Sequence, residues 1–339
     1  MAVIDEKECK RQLKEAVLSR LYVICGDEDY LKQVYAGKLS DQATAGPFRD
    51  FNFHRFEGKD TSLDEIAQAA EAFPVGAERS CVLVRDFPLD GDPSLLRFLR
   101  ELPQHCVMLF WMDTLEFSPK KNKQLAAAVG EAGHFLQLDR PGAVQLAQLI
   151  CSSAKKRGGQ MDKATADYLI ETVGGDLNTL LRETEKLCAY AGDASITKAH
   201  VDTVAVKSID AKAFDMVKAV SAGNGTLALR LLDDLFAQKT APELLLGSLI
   251  TQFMDIFRAA VARRAGKRPE AAADLFAYRG MTFRLTNAAR TAAKLQFSQI
   301  CGCLDHLDTA DRQLKSSPLD KRFVLERCVI ALMHEMKAA

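Results

Sequence analysis

Short apolar runs divided by amphipathic stretches set the pattern of the first 140 residues. Leu21–Cys25 (LYVIC), Ser80–Arg85 (SCVLVR) and 106–112 (CVMLFWM) are continuously apolar, Phe53–Glu57 (FHRFE) alternates, and 134–138 (HFLQL) is shorter. Between them, residues 30–39, 63–72 and 120–132 carry helical periodicity. Thr61 or Ser62 is placed to cap the second of these helices, and Glu65 stands where a capping box requires it. Continuous apolar strands alternating with helices predict a parallel sheet covered on both faces.

The pattern changes after residue 138. Pro141-Gly142 breaks the chain, and beyond it no strand pattern is read. Residues 144–157, 163–173, 177–191 and 197–204 read as helices. They are punctuated by Gly158-Gly159, Gly174-Gly175 and Gly192, with Asp176 and Thr197 as caps. From about residue 211 the helices lengthen: 213–222, 226–238, 242–265, 268–278, 282–294, 298–315 and 319–336, with Pro242 in a first turn, where its missing N–H costs nothing. Long helices joined by short loops predict an antiparallel bundle. The expected architecture is an α/β domain over 1–140, a small helical domain over 141–208 and a C-terminal helical bundle over 209–339.

Composition narrows the function classes. The chain has 339 residues, 48% apolar and 27% charged, with 45 basic and 45 acidic side chains. A net charge of zero argues against binding nucleic acid by bulk electrostatics, though short basic clusters stand at Lys120-Lys121 with Lys123, at Lys155-Lys156-Arg157, and at Arg263-Arg264 with Lys267-Arg268. The charged first 14 residues carry no apolar core of a secretory signal, and no run of about 18 uncharged apolar residues predicts a membrane span. Nine dispersed cysteines suit a reducing compartment, so a cytoplasmic location is expected.

Candidate chemistry is sparse. The turn after the first apolar strand is where a P-loop would place its glycines, lysine and hydroxyl around a phosphate. Here it reads Gly26-Asp27-Glu28-Asp29-Tyr30-Leu31-Lys32-Gln33. One glycine remains, and three carboxylates occupy a loop that would have to attract an anion. They suit a helix N-terminus instead. Asp113 ends an apolar strand as a Walker B aspartate does, but Thr114 follows where a water-activating glutamate would stand. Cys301, Cys303 and His306 lack a second ligand pair for zinc and read as side chains of a helix. No catalytic residue, cofactor or metal is assigned.

The corner Phe73-Pro74-Val75-Gly76 places apolar side chains between a helix and a strand. It is either a loop packed on its own domain or an apolar plug for a partner's pocket.

The order of these parts resembles the delta subunit family of bacterial DNA polymerase III, the clamp loader subunit with an AAA+-like fold and no functional P-loop. The resemblance spans nearly the whole chain. Its most specific stretch is Gly174-Gly175-Asp176-Leu177 through Glu183, Lys186 and Leu187, similar to the family's G-x-D-L…L-x-x-E-x-x-K-L signature, followed by Ile196-Thr197 and Val201. Phe214-Asp215, Ala310-Asp311 with Lys315, and Leu325-Glu326 also fit, as does the opening from Leu21 through Gly26-Asp27-Glu28 to Tyr30-Leu31. The resemblance implies a non-catalytic subunit of a pentameric loader that binds no ATP itself. Its partners would be the ring-shaped sliding clamp (beta), the gamma or tau and delta-prime subunits, and primed DNA through the complex, with no membrane. It implies that the first domain grips the clamp and helps open it, and that the last joins a collar. The family's clamp contact falls at the corner, with Val75 and Gly76 at its aliphatic and phenylalanine positions and Arg79 following. Gly76 departs from that pattern and leaves Phe73 as an alternative anchor. The competing classes are a divergent P-loop-type ATPase using Lys32 and Asp113, or a DNA-binding adaptor. The Ser-Arg-Cys motif and cysteine zinc module usual in a delta-prime-like subunit are both missing.

Overall fold

The computed structural model describes residues 3–114, 122–276, 278 and 281–337. It divides into two compact units, Met1–Arg140 and Pro141–Ala339.

The first unit is a six-stranded parallel sheet with helices on its faces. In chain order it comprises β1 (Val3–Ile4), α1 (Glu6–Glu15), β2 (Leu21–Cys25), α2 (Asp29–Ala43), α3 (Arg49–Asn52), β3 (Phe53–Glu57), α4 (Leu63–Glu71), β4 (Ser80–Arg85), α5 (Pro93–Arg100), β5 (Cys106–Trp111), α6 (Lys123–Ala132) and β6 (Gly133–Gln137). The strands lie in the order β1-β6-β2-β5-β4-β3, every neighbouring pair parallel. The continuously apolar strands β2 and β5 sit inside the sheet and are buried along their whole length, and β4 is buried except at its last residue, Arg85. The alternating β3 takes an edge, where one face of each residue pair meets solvent. On one face Leu21, Val23, Val82, Val84, Met108 and Phe110 pack with Ile66, Leu95, Leu99 and Val129 from the helices. Tyr22 points away from that cluster, and its hydroxyl donates to Gln12 Oε1 at 2.7 Å. The Ser62–Glu65 capping box forms at the start of α4.

Helices α1, α3 and α5 and the short strand β1 escape the hydrophobic pattern. The charged N-terminus forms β1 and α1, because two residues suffice to pair with β6 and Asp5 caps the helix. Helix α5 starts at Pro93 under an Asp92 cap and buries Leu95, Leu96 and Leu99, in a segment too short for a clear period.

The second unit opens with α7 (Ala143–Lys156), β7 (Gln160–Met161), α8 (Lys163–Val173), α9 (Leu177–Ala191), β8 (Ser195–Ile196) and α10 (Lys198–Val204). The expectation of no strand beyond residue 138 is corrected by the parallel pair of β7 and β8. Two residues carry no alternation to read. Asp176 Oδ1 accepts from the Thr179 N–H at 2.7 Å and caps α9 as expected. Then follow α11 (Ile209–Ser221), α12 (Gly225–Ala237), α13 (Pro242–Arg264), α14 (Phe283–Ala292), α15 (Phe297–Ser316) and α16 (Lys321–Lys337). Their core joins Met216, Leu232, Leu249, Phe253, Ile300, Leu307, Leu325 and Leu332. By length and composition α13 is apolar enough to cross a membrane, alone among the described residues. Its apolar positions Leu245, Leu246, Leu249, Phe253 and Ile256 belong to this bundle's core. The expected helix over 268–278 is instead a short 3₁₀ turn, Pro269–Asp274. There the buried Tyr278 turns back to donate to Asp255 at 2.6 Å, a tertiary bond that outweighs local propensity.

Candidate partner-binding corner and the turn after β2

The turn after β2 is closed by its own unit. Gly26 sits at φ +115°, and a Cβ there would lie 2.2 Å from the Leu138 carbonyl oxygen, so only glycine lets the two backbones meet. The Glu28 N–H donates to that same carbonyl at 3.1 Å. Asp27 accepts from the Arg140 N–H at 2.9 Å through its carboxylate, and from Arg140 Nε at 3.1 Å through its backbone oxygen. Asp29 lies in the first turn of α2, where a negative charge suits the helix dipole.

Lys32 stands where a phosphate-binding lysine would reach out, but it is turned inward and buried. Its Nζ donates to the carbonyls of Met112 and Asp113 at 2.9 and 3.2 Å and pairs with Asp29 at 3.1 Å. The Asp113 carboxylate is taken by Arg85, whose Nε donates to it at 3.0 Å. Asp86 accepts from the N–H groups of Asp113 and Thr114 at 2.8 and 2.9 Å. The two side chains an ATPase would use are thus engaged with neighbours in the sheet's own end.

The corner Phe73–Gly76 follows α4 and leads to β4. Phe73 is 84% exposed, its ring stacked on His105 with centroids 4.9 Å apart. Val75 is 51% exposed. Its backbone is held by a buried side chain: the Val75 N–H donates to Asn52 Oδ1 at 2.7 Å, and Asn52 Nδ2 donates back to the Val75 carbonyl at 2.9 Å. Gly76 adopts φ +59°, and a Cβ there would sit 2.7 Å from Cδ2 of Phe48. Phe48 and Phe51, one helical turn apart, are 44% and 68% exposed. The hydrophobic pattern did not single out Phe48, Phe51 or Asn52. The readable signal was an i, i+3 phenylalanine pair straight after Gly46-Pro47.

The remaining candidates lie elsewhere. Gly175 abuts Met281, whose Sδ is 2.9 Å from where a Cβ would be, while Leu177 and Leu187 are buried. Lys186 pairs with the mostly buried Glu183 at 2.7 Å. The signature therefore builds the α8–α9 turn and its packing, beside a cavity of about 530 Å³ lined in part by Gly174, Gly175, Phe214 and Met281. Cys301 and Cys303 lie on α15. Burial pushes the Cys303 thiol up to about 12, and His306 Nε2 faces Glu335 at 3.5 Å. No cluster of three or more metal-ligating side chains occurs among the described residues. Lys155 and Lys156 end α7 and Arg263 and Arg264 end α13, where cations suit the helix dipole. Arg264 also lies over the Phe297 ring at 4.5 Å. Lys120 and Lys121 lie outside the described residues.

Two family models match the chain. One, described as DNA polymerase III, delta subunit, covers residues 22–130, and the other, DNA polymerase III delta subunit, C-terminal domain, covers 210–332. The chain is 22% identical over 335 residues to the DNA polymerase III subunit delta of Bacillus subtilis, covering 95% of both chains. It is 24% identical over 234 residues to a probable DNA polymerase III subunit delta of Aquifex aeolicus, covering 64% of both. In fold it is similar to the Bacillus subtilis DNA clamp loader delta protein, with a TM-score of 0.67 at 20% identity, over 97% of this chain and 99% of that one.

Proposed function

The chain belongs to the DNA polymerase III delta subunit family, and on that footing we propose that it grips the sliding clamp of the replicative polymerase through the Phe73–Gly76 corner and helps open the ring for loading onto primed DNA, without binding ATP itself. The observation that carries the reading is the corner itself: two large apolar side chains, Phe73 and Val75, stand out in solvent while Asn52 holds the backbone beneath them. A backbone already held at Val75 has less ordering left to do on docking. Burying a Phe and a Val supplies on the order of several kcal/mol at about 25 cal/mol per Å², part of which offsets the cost of association. Ring opening then follows from differential affinity: the subunit holds the open interface better than the closed one and shifts the ring's equilibrium toward it.

The absence of an ATP step is supported by the engaged side chains at the end of the sheet. Lys32 and Asp113 are already bonded, and the Glu28 N–H is directed at Leu138. In this reading ATP is handled by gamma or tau subunits, with delta-prime completing a cytoplasmic assembly. Residues 141–208 form a lid-like helical part, and residues 209–339 join the collar.

The test is clamp affinity of the Phe73→Ala, Val75→Ala double variant, measured beside a thermal-shift assay with Mg-ATP. Weakened clamp binding by a folded variant, with no shift of the wild type by nucleotide, is expected. Unchanged affinity overturns the corner assignment. Saturable stabilisation by ATP, or hydrolysis by the isolated chain, favours the divergent ATPase instead.

A further inference from the structure

Gly76 stands at the corner position where the family pattern puts a phenylalanine, and it has no side chain to offer. The structure fills that gap from another segment. The Cδ2 and Cε2 atoms of Phe48 lie 2.7 and 2.8 Å from where a Cβ of residue 76 would be, so the ring rests directly on the Gly76 backbone. With φ at +59°, residue 76 is also in the left-handed region that favours glycine. The glycine thus makes room for a neighbour's ring.

Phe48 is not buried by this contact. At 44% exposed, it covers Gly76 with part of its surface and turns the rest to solvent. Its place is set by the same device that holds Val75. Phe48 directly precedes α3, its carbonyl accepts from the Phe51 N–H at 3.1 Å, and Asn52 ends that helix with its amide locked to both backbone groups of Val75. Two independent links, the ring on Gly76 and the amide on Val75, hold the two segments together. The exposed side chains of Phe48, Phe51, Phe73 and Val75 stand on those two segments. Single exposed apolar residues are ordinary, but Phe48 resting on Gly76 and Val75 held next to it by the buried Asn52 put two exposed apolar side chains on one tethered corner, as a docking surface requires. The Arg49–Asp41 ion pair beside it at 2.5 Å gives the patch a polar edge.

We propose that Phe48 is the aromatic anchor of the corner, entering the clamp's hydrophobic pocket together with Val75 in place of the side chain that residue 76 lacks. The inference rests on the reading of the corner as the clamp contact, and it deepens that reading by naming a binding residue from outside the corner. It also gives Gly76 a function: a larger residue there would evict the ring.

The experiment uses the full-length chain and the purified sliding clamp of the same organism. Binding is measured by biolayer interferometry for wild type, Phe48→Ala, Phe48→Leu and the Phe73→Ala, Val75→Ala double variant, with a melting curve for each. Phe48→Ala is expected to weaken binding about tenfold or more, the loss typical of an anchor at the centre of an interface. Phe48→Leu, which still covers Gly76, is expected to keep the melting temperature of the wild type and bind with intermediate affinity. Clamp affinity of Phe48→Ala within about twofold of wild type, with the double variant impaired, overturns the anchor and leaves the corner reading intact. Wild-type affinity for the double variant as well overturns both. If Phe48→Ala fails to fold, a photoreactive benzoyl-phenylalanine placed at position 48 decides. Cross-linking to the clamp at that position, and none from the same group at the exposed Leu227 of the second unit, supports the anchor. No cross-link from position 48 in a chain that still binds the clamp overturns it.

Discussion

The buried ammonium of Lys32 donates to the Met112 carbonyl at 2.9 Å, joining the first turn of α2 to the C-terminal end of β5. A lysine that in a nucleotide site would answer to phosphate here answers to the backbone. Replacing it with a residue of similar shape but no donor, Lys32→Met, leaves the Met112 and Asp113 carbonyls without that partner. The expected cost is about 1–3 kcal/mol of stability, read as a lower denaturation midpoint. Mg-ATP is expected to leave the melting temperature unchanged in both wild type and variant.

Asn52 is the tether of the corner. Asn52→Ala removes two hydrogen bonds to Val75 at once and orphans its N–H and carbonyl. Stability is expected to fall by roughly 1–3 kcal/mol. Clamp affinity is expected to fall as well, although the variant leaves every apolar side chain of the patch in place. Measuring affinity at a temperature where the variant is fully folded separates loosened geometry from unfolding.

Asp255 is a buried carboxylate shared by the bundle's longest helix and the chain that follows it. It accepts from the Tyr278 hydroxyl at 2.6 Å and from Arg284 Nε at 3.0 Å. Asp255→Ala leaves the guanidinium groups of Arg258 and Arg284 without their carboxylate and the Tyr278 hydroxyl without its acceptor in a partly buried site. Breaking such a buried pair from one side typically costs about 3–5 kcal/mol, which chemical denaturation of the full chain would resolve.

His134 gives the first unit a defined acid response. Burial holds its imidazole below the usual histidine range, Glu8 opposes that shift, and Nδ1 has no hydrogen-bond partner. The unfolded chain therefore takes up a proton on this residue at a higher pH than the folded one. Stability from this source is fully present above the unfolded pKa of about 6.5 and is lost as pH falls from there through the lower folded value. Denaturant midpoints between pH 7.5 and 5.5 are expected to fall less steeply for His134→Gln than for wild type.

The nine cysteines divide by environment. Cys9, Cys25, Cys81, Cys106, Cys303 and Cys328 are buried, and burial pushes the Cys25 thiol up to about 12 and the Cys106 thiol up to about 11. Cys151, Cys188 and Cys301 are partly accessible. Brief treatment of the native protein with N-ethylmaleimide is expected to add at most three adducts by intact mass. Denaturation should expose all nine.

Much of this was legible beforehand, for local reasons. Strands β2, β4 and β5 show as continuous apolar runs because a strand inside a covered parallel sheet has no solvent face. The Ser62–Glu65 box and the Asp176 cap show because each is completed within four residues. What stayed hidden depends on chain brought from a distance or on too few residues to repeat. β7 and β8 are two residues each, and the Tyr278 hydroxyl reaches back to Asp255 in a segment expected to continue as a helix.

The candidate site divides along the same line. The amino-acid sequence by itself determined that the loop after β2 carries three carboxylates and one glycine where a P-loop has its glycines and hydroxyl, and that Phe73 and Val75 stand together at a corner with a glycine beside them. Residue identity and order suffice for both. Only the tertiary structure decided that Lys32 turns inward to the end of β5, that Asn52 grips Val75, and that the ring of Phe48 occupies the space over Gly76. Each of these joins segments far apart in the chain. A missing side chain is visible in a sequence, but which neighbour fills its place is settled by packing in three dimensions.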